Sequence, residues 1–496
     1  MDEQVVFTTQ NTGTVCNVHS LEQTSLRQLT VGSAHSAVQI GGRYLLVAQS
    51  QKALINVYDI SGDHKRESVE QRIPLPEVVC CLETVENSQD STQAADLSLP
   101  WLLLASTPSG KLYVWEMNSG FLLTVKQMAH YQSITKIQSI CNGKYVVTSG
   151  EDSRVIIWQT TDLVCEEEPK PVCILHDHTL GVMDFAVSTT CGDSNVRLFT
   201  ASQDATLRCY SLNLNRSVEP KQLATFTCPY PIQCLALDPA DRACYVGTSQ
   251  GVFNLPLYYR ISGDKVANLV QETSTNKLFS LVPEPQESRE KLYSRGSLQV
   301  DKVFESNATR LEVSLDGSLL IVGDNDGHVA ITEIFSKQVL RTIQPLTTAA
   351  SNGAVTNLLI ATQWKSSLQP NLTQRHNFSK IPALQRNIHD KKGLHELWFQ
   401  VGQQPQLNLA QSNFDEYLSQ VQTEQMVWSQ SSAAPRASTA PIPAPAASTT
   451  VTKDEDSKGE DNKDQEIAQL RENLTTLKGA YAELRSMHQT LLEERQ

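Results

Sequence analysis

A chain of 496 residues exceeds one average domain, so it holds several domains or one large repeat fold. Its 41 basic and 54 acidic residues leave a net charge of −13 with no dense Lys/Arg block, which argues against broad electrostatic capture of nucleic acid. No apolar run reaches membrane-spanning length, and MDEQVVFTTQ lacks the basic start and apolar core of a secretory leader, so a soluble intracellular protein with no membrane partner is expected.

From the first residues onward the chain alternates apolar and polar positions in short runs, the pattern of half-buried strands. The runs recur on an anchor position at Val18, Tyr58, Trp115, Trp158, Tyr210, Leu255 and Thr332, with spacings of 40, 57, 43, 52, 45 and 77 residues. Two stretches display the unit most fully: AHYQSITKIQSICNGKYVVTSGEDSRVIIW, ending at Trp158, and HTLGVMDFAVSTTCGDSNVRLFTASQDATLRCY, ending at Tyr210. Each runs from a His through a strand, a turn, a strand ending in Ser-x-Asp, and a strand closing on an aromatic. That is the WD-repeat pattern, and the shorter spacings suit a four-stranded blade. The longer spacings imply insertions, at Glu86–Leu99 and Ser262–Ala308. The expected fold is all-β: a seven-bladed WD-repeat β-propeller over 1–361, with a C-terminal helical extension and coiled coil. Val5–Thr9 already corresponds to a second strand, and Ala354–Ala361 is a first strand with nothing after it. The C-terminal strand is therefore expected to complete the N-terminal blade and remove an open edge.

Within the repeats, His130, Asp152 and Trp158 stand where an intrablade hydrogen-bonded network belongs, with Thr148 or Ser149 as the hydroxyl member. His178, Asp204 and Tyr210 repeat the arrangement, with Thr200 or Ser202. Buried polar groups need such partners. Ser, His and Asp together also suggest a hydrolase, but this spacing recurs by blade and no GxSxG elbow is present, so no catalytic residue is assigned. The tightest group of metal-ligand types is His176–His178, one of whose histidines belongs to the blade network, and no metal site is assigned. No GxxxxGK[ST] loop is present, so no P-loop nucleotide and no other cofactor is expected. The eleven cysteines include no CxxC pair and read as small buried hydrophobes.

Residues 362–430 form a post-propeller extension. Its mildly basic stretch Gln374–Gly402 carries Phe378, Trp398 and Phe399, which either pack along the propeller or dock a partner. Asn413–Trp428 has an amphipathic helical pattern. Residues 431–463 are an Ala/Pro/Ser and acidic linker that cannot bury a core. Residues 464–496 read as a coiled coil: Ile467, Leu470, Leu474, Leu477, Tyr481, Leu484, His488 and Leu491 alternate by three and four, with Leu at every d position. A helix lying on its own propeller is the alternative, and the tethering linker and four-heptad seam favour self-association or pairing with another subunit.

The segments NGKYVVTSGEDSRVIIWQT, LFTASQDATLRCY, LDPADRACYVGT and FSKQVLRTIQ resemble the fungal WD-repeat subunits that process internal transcribed spacer 2 of pre-ribosomal RNA, and the resemblance extends from the first residues through the coiled coil. It implies a non-catalytic scaffold in a small nuclear complex, partnered by a helical-repeat scaffold subunit and a third small subunit. It further implies action on the pre-60S particle with the midasin AAA ATPase, in the nucleoplasm or nucleolus. Two alternatives remain: a chromatin-associated adaptor in DNA replication licensing, and a direct pre-rRNA binder. Leu255 and Thr332 where Trp is usual, and Lys136 in a first-strand turn, depart from the wider pattern.

Overall fold

The computed structural model describes residues 2–363, except 21, 41–43, 61–66, 86–101, 167, 189–194, 215–218, 263–264, 272–275, 285–286 and 346–352, together with 381–388. The Glu86–Leu99 insertion, Phe378, Trp398, Phe399, the helical pattern at Asn413–Trp428, the linker and the whole expected coiled coil from Ile467 to Leu491 lie outside the described residues. The described chain is an all-β propeller. Among the described residues only two helices occur, Thr160–Cys165 and Arg289–Ser294.

Six sheets are four-stranded antiparallel blades. The expectation of a seven-bladed propeller is therefore corrected: six four-stranded blades form among the described residues, while the fifth repeat builds a six-stranded sheet and a separate two-stranded hairpin is present. In the first blade, Asp2–Thr9 pairs antiparallel with Gly13–Asn17 on one edge and with Val355–Gln363 on the other. Val5 lies opposite Ile360 and Phe7 opposite Leu358, and the Thr8 and Thr356 hydroxyls meet at 2.9 Å. The two ends of the ring are joined by backbone pairing, so Asp2–Thr9 is paired along both of its edges.

Strict alternation underestimates burial in the second strand of each blade. Tyr44–Ala48, Leu102–Ser106, Tyr145–Gly150 and Ala243–Thr248 are buried at every position. Each blade is sandwiched between two others, so both faces of its middle strands are covered and their polar residues are small Ser, Thr and Gly. Hydrophobic clusters accordingly span pairs of neighbouring blades, as where Leu46 and Ile55 of one meet Leu103 and Trp115 of the next.

The innermost strands follow one another around the axis, and each neighbouring pair is stitched by a specific bond. Ser36 N–H donates to Asn357 Oδ1 (2.7 Å), Leu82 N–H to the His35 carbonyl (2.9 Å), and Ser139 N–H to Glu83 Oε1 (3.2 Å). Thr135 donates to the Val182 carbonyl (2.7 Å), Leu235 N–H to Asp184 Oδ2 (3.0 Å), the Cys234 thiol to the Ala308 carbonyl (3.6 Å), and Thr309 to the Val355 carbonyl (2.9 Å).

The segment read as a loop at Ser262–Ala308 is substantially structured. Lys277–Val282 adds in parallel to the outer strand Lys221–Thr227, and Ser297–Gln299 adds in parallel beyond it. Their side chains supply the reason: Phe279 stacks on Phe226 at 5.7 Å and Tyr293 on Tyr259 at 6.1 Å, burying apolar surface that a solvated loop would expose. Asp301–Phe304 then returns as the fourth strand beside Gly251–Pro256. Gly251 sits there with φ +127°, and a Cβ on it would lie 2.2 Å from the Phe304 carbonyl oxygen, so the pairing requires glycine.

Candidate functional site

Four features stand out: two intrablade polar networks, a charged cluster among the inner strands, and an apolar seam between the second and third blades. In the fourth repeat, strand Ile134–Ile140 follows His130, strand Tyr145–Gly150 carries Thr148, and Asp152 begins the turn into Val155–Gln159, which carries Trp158. His130 Nδ1 lies 2.9 Å from Asp152 Oδ1, its Nε2 lies 2.9 Å from Thr148 Oγ1, and Trp158 Nε1–H donates to the same hydroxyl at 3.1 Å. Since the carboxylate can only accept, Nδ1 carries the proton. The Thr148 oxygen accepts from the indole and lies within hydrogen-bond distance of Nε2, and its hydroxyl also reaches the Ile156 carbonyl at 3.3 Å. Thr148 is thus the hydroxyl member. Ser149 instead meets Thr135 at 2.8 Å. Burial works against the Asp152 charge, but the His130 hydrogen bond, with the Tyr131 and Arg154 amides, outweighs it and holds the carboxyl below its ordinary pKa.

The fifth repeat differs. His178 Nδ1 lies 3.1 Å from Asp204 Oδ2 and its Nε2 lies 2.8 Å from Thr200 Oγ1, while Ser202 donates to the Leu180 carbonyl. Tyr210 does not close this network. Its hydroxyl donates instead to Asp177 Oδ2 at 2.8 Å. The His176–His178 group is split by the same arrangement, with His176 and Asp177 exposed and only His178 buried. In the last repeat Thr332 is fully buried and its hydroxyl has no partner among the described residues, so the smaller residue in the anchor position builds no network there. Leu255 contributes only apolar contact.

Lys136 is not in a turn. It lies within strand Ile134–Ile140, directly after a register shift that turns its side chain toward the next inner strand. There its Nζ donates to Asp184 Oδ1 (2.8 Å) and to the Phe185 carbonyl (2.7 Å). The His35 ring approaches the same carboxylate at 3.8 Å, and Arg310 Nε donates to the Thr356 carbonyl at 2.8 Å. Burial, then the Arg310 charge, keeps His35 well below the usual histidine range. Burial also pushes Glu312 up to about 7, with Lys136 opposing and Asp184 adding to the shift. These groups bind successive inner strands to one another and offer no nucleophile with an aligned base.

Elsewhere, donor atoms of Asp324, Asp326 and His328 come within 4.8 Å of one another. Asp324 Oδ1 already accepts the amides of Asp326 (3.0 Å) and His328 (2.7 Å), which is the hydrogen bonding of a tight turn.

The seam between the second and third blades was missed in the sequence. Between Phe378 and the pair Trp398 and Phe399, Ile381 and Leu384 bury themselves among Tyr44, Ile73, Trp115 and Leu122. The available signal was an aliphatic pair three residues apart in an otherwise polar stretch.

Repeats of this geometry around a closed ring define a WD-repeat propeller, and a family described as "WD domain, G-beta repeat" matches residues 122–159. The chain is 47% identical to the pre-rRNA-processing protein IPI3 of Saccharomyces cerevisiae strain YJM789, with 100% of this chain and 99% of that protein covered. It is 43% identical to the Candida glabrata protein of the same name, covering 100% and 98%. The chain belongs to this IPI3 family of fungal WD-repeat proteins. One chain in a crystal structure of the mitotic checkpoint complex is also similar, at 12% identity and a TM-score of 0.44, over 67% of this chain and 84% of that one.

Proposed function

We propose that the chain is a non-catalytic platform in pre-rRNA processing and large-subunit maturation. The observation that carries this reading is the end-to-end identity with proteins named for pre-rRNA processing. In its finer form, the platform belongs to a nuclear complex with a helical-repeat subunit and a third small subunit. It acts on pre-60S particles carrying internal transcribed spacer 2, together with the midasin ATPase. The six-stranded sheet serves as the seventh blade, a reading supported by its antiparallel order from Val182–Val187 to Lys221–Thr227. Residues 1–361 are the rigid propeller. The extension at 362–430 and linker at 431–463 lead to an association helix at 464–496, and Phe378, Trp398 and Phe399 contribute to partner docking. His130, Asp152, Trp158, His178, Asp204 and Tyr210 act through stability alone. Depleting the protein should lower 60S subunits and accumulate pre-rRNA still carrying the spacer, with 40S levels near normal. Unchanged spacer processing after depletion would overturn the proposal, and so would a well-folded Asp204 variant that stays inactive at raised expression.

A further inference from the structure

After the strand Val355–Gln363 closes the ring, the chain reappears at Ile381–Ile388 in the seam between the second and third blades. Ile381 and Leu384 are only 3% and 5% exposed, and Ile388 packs partly against the same cluster. The backbone is held as firmly as the side chains. Gln71 Nε2–H donates to the Ile381 carbonyl at 2.7 Å, from the outer strand of the second blade. Trp115 Nε1–H donates to the Gln385 carbonyl at 2.8 Å, and Gln385 N–H donates to the Gly120 carbonyl at 2.8 Å, both from the third blade. Gly120 has φ +77°, and a Cβ on it would stand 2.4 Å from the Ala383 carbonyl oxygen, so the turn is shaped to let this segment pass.

Trp115 makes the arrangement informative. It is the third-repeat counterpart of Trp158, whose indole is satisfied inside its own blade. Here the indole is fully buried, stacked on Tyr113 at 5.3 Å, and bonds to the docked segment instead. With the segment gone, that N–H would face an apolar seam without this acceptor, and two aliphatic sockets would open. These are the properties of a groove that recognises an extended peptide: two side-chain pockets plus main-chain hydrogen bonds.

We infer that the seam between the second and third blades is a linear-motif site that the chain fills with its own residues 381–388. It accepts an extended segment with aliphatic side chains three positions apart, a proline after the first, and a carbonyl placed for the Trp115 indole. A protein segment of the same pattern gains the seam only by displacing this resident one.

The test uses full-length chain and a labelled peptide, KIPALQRNI, read by fluorescence polarisation. In the unaltered chain the tethered segment occupies the groove, so the apparent Kd is the intrinsic Kd divided by the small open fraction. Ile381→Asp with Leu384→Asp should expel it, and the peptide should then bind at least about tenfold more tightly than to the unaltered chain. Adding Gln71→Ala should weaken that binding. Equal binding to both chains, or none to a double variant that still melts cooperatively, would overturn the inference. Should the double variant fail to fold, hydrogen exchange at the Trp115 indole of the unaltered chain decides. Protection comparable to that of Trp158 is expected, and exchange at the rate of an exposed indole would overturn the site.

Discussion

Replacing Thr148 by Val keeps the shape of a buried side chain and deletes a hydroxyl that serves two partners. Trp158 Nε1–H loses its acceptor at 3.1 Å and His130 Nε2 loses its hydrogen-bond partner at 2.9 Å. Both partners are buried, at 3% exposure, so water cannot readily replace the lost bonds. Each unsatisfied group costs about 1–3 kcal/mol, and the expected loss is therefore about 2–6 kcal/mol. Thr200 in the next repeat provides an internal control. Because Tyr210 turns to Asp177, Thr200→Val strands only His178 Nε2 and should lose about 1–3 kcal/mol. Urea unfolding followed by tryptophan fluorescence would measure both midpoints, with unchanged m-values confirming that the same unfolding is compared. Thr148→Ser, which retains the hydroxyl, should stay close to the unaltered protein. A Thr148→Val variant no less stable than Thr200→Val would refute the network in which one hydroxyl serves both the indole and the imidazole.

Deleting the chain from Val355 onward should abolish cooperative melting and produce aggregates in light scattering, because Asp2–Thr9 would lose its inner partner; an unchanged melting midpoint would contradict the ring closure. Glu312→Gln should raise stability in a pH-dependent way. A carboxyl pushed from 4.5 up to about 7 keeps in the fold a proton that the unfolded chain releases, so stability falls as pH rises between those values. The advantage of Gln over Glu should grow across that window to at most about 3 kcal/mol and then level off, as read from denaturation midpoints at pH 4 to 8. Replacing Leu477 and Leu484 with polar residues should convert an associated species to monomer in light scattering, and a chain that is monomeric with both leucines intact would exclude homotypic pairing.

What could be read without coordinates was whatever repeats. His130, Asp152 and Trp158 announce their blade because the hydrogen-bonding need of a buried imidazole recurs at a fixed spacing. The same pattern misplaced Tyr210: a phenol hydroxyl extends along the ring axis whereas an indole N–H projects from its side, so an aromatic in the same strand position reaches a different partner. Lys136 looked anomalous in a strand start because its ion pair with Asp184 lies in the neighbouring blade, 48 residues away. The parallel strands Lys277–Val282 and Ser297–Gln299 were hidden for a related reason. Lys277–Val282 is a short apolar run that pairs in parallel with Lys221–Thr227, and it becomes part of a core only when Phe226 from elsewhere stands opposite Phe279. Ile381 and Leu384 likewise carry no periodicity, and a pair of sockets in two blades gives them meaning.

Pairing between Asp2–Thr9 and Val355–Gln363 also sets a timetable. The Thr8–Thr356 contact spans 348 positions, so the first strand to leave the ribosome finds its inner neighbour only after almost the whole ring has been synthesised. At roughly 5–20 residues per second, that wait lasts on the order of 20 s to a minute. Closing so long a loop carries an entropic term of about 5 kcal/mol beyond its constant part, which the contacts of a single strand pair must offset late in folding. During that interval Val5 and Phe7 stand at a bare edge. The nascent chain is thus most vulnerable to misassociation at its oldest end, where a cotranslational chaperone would have the most to shield.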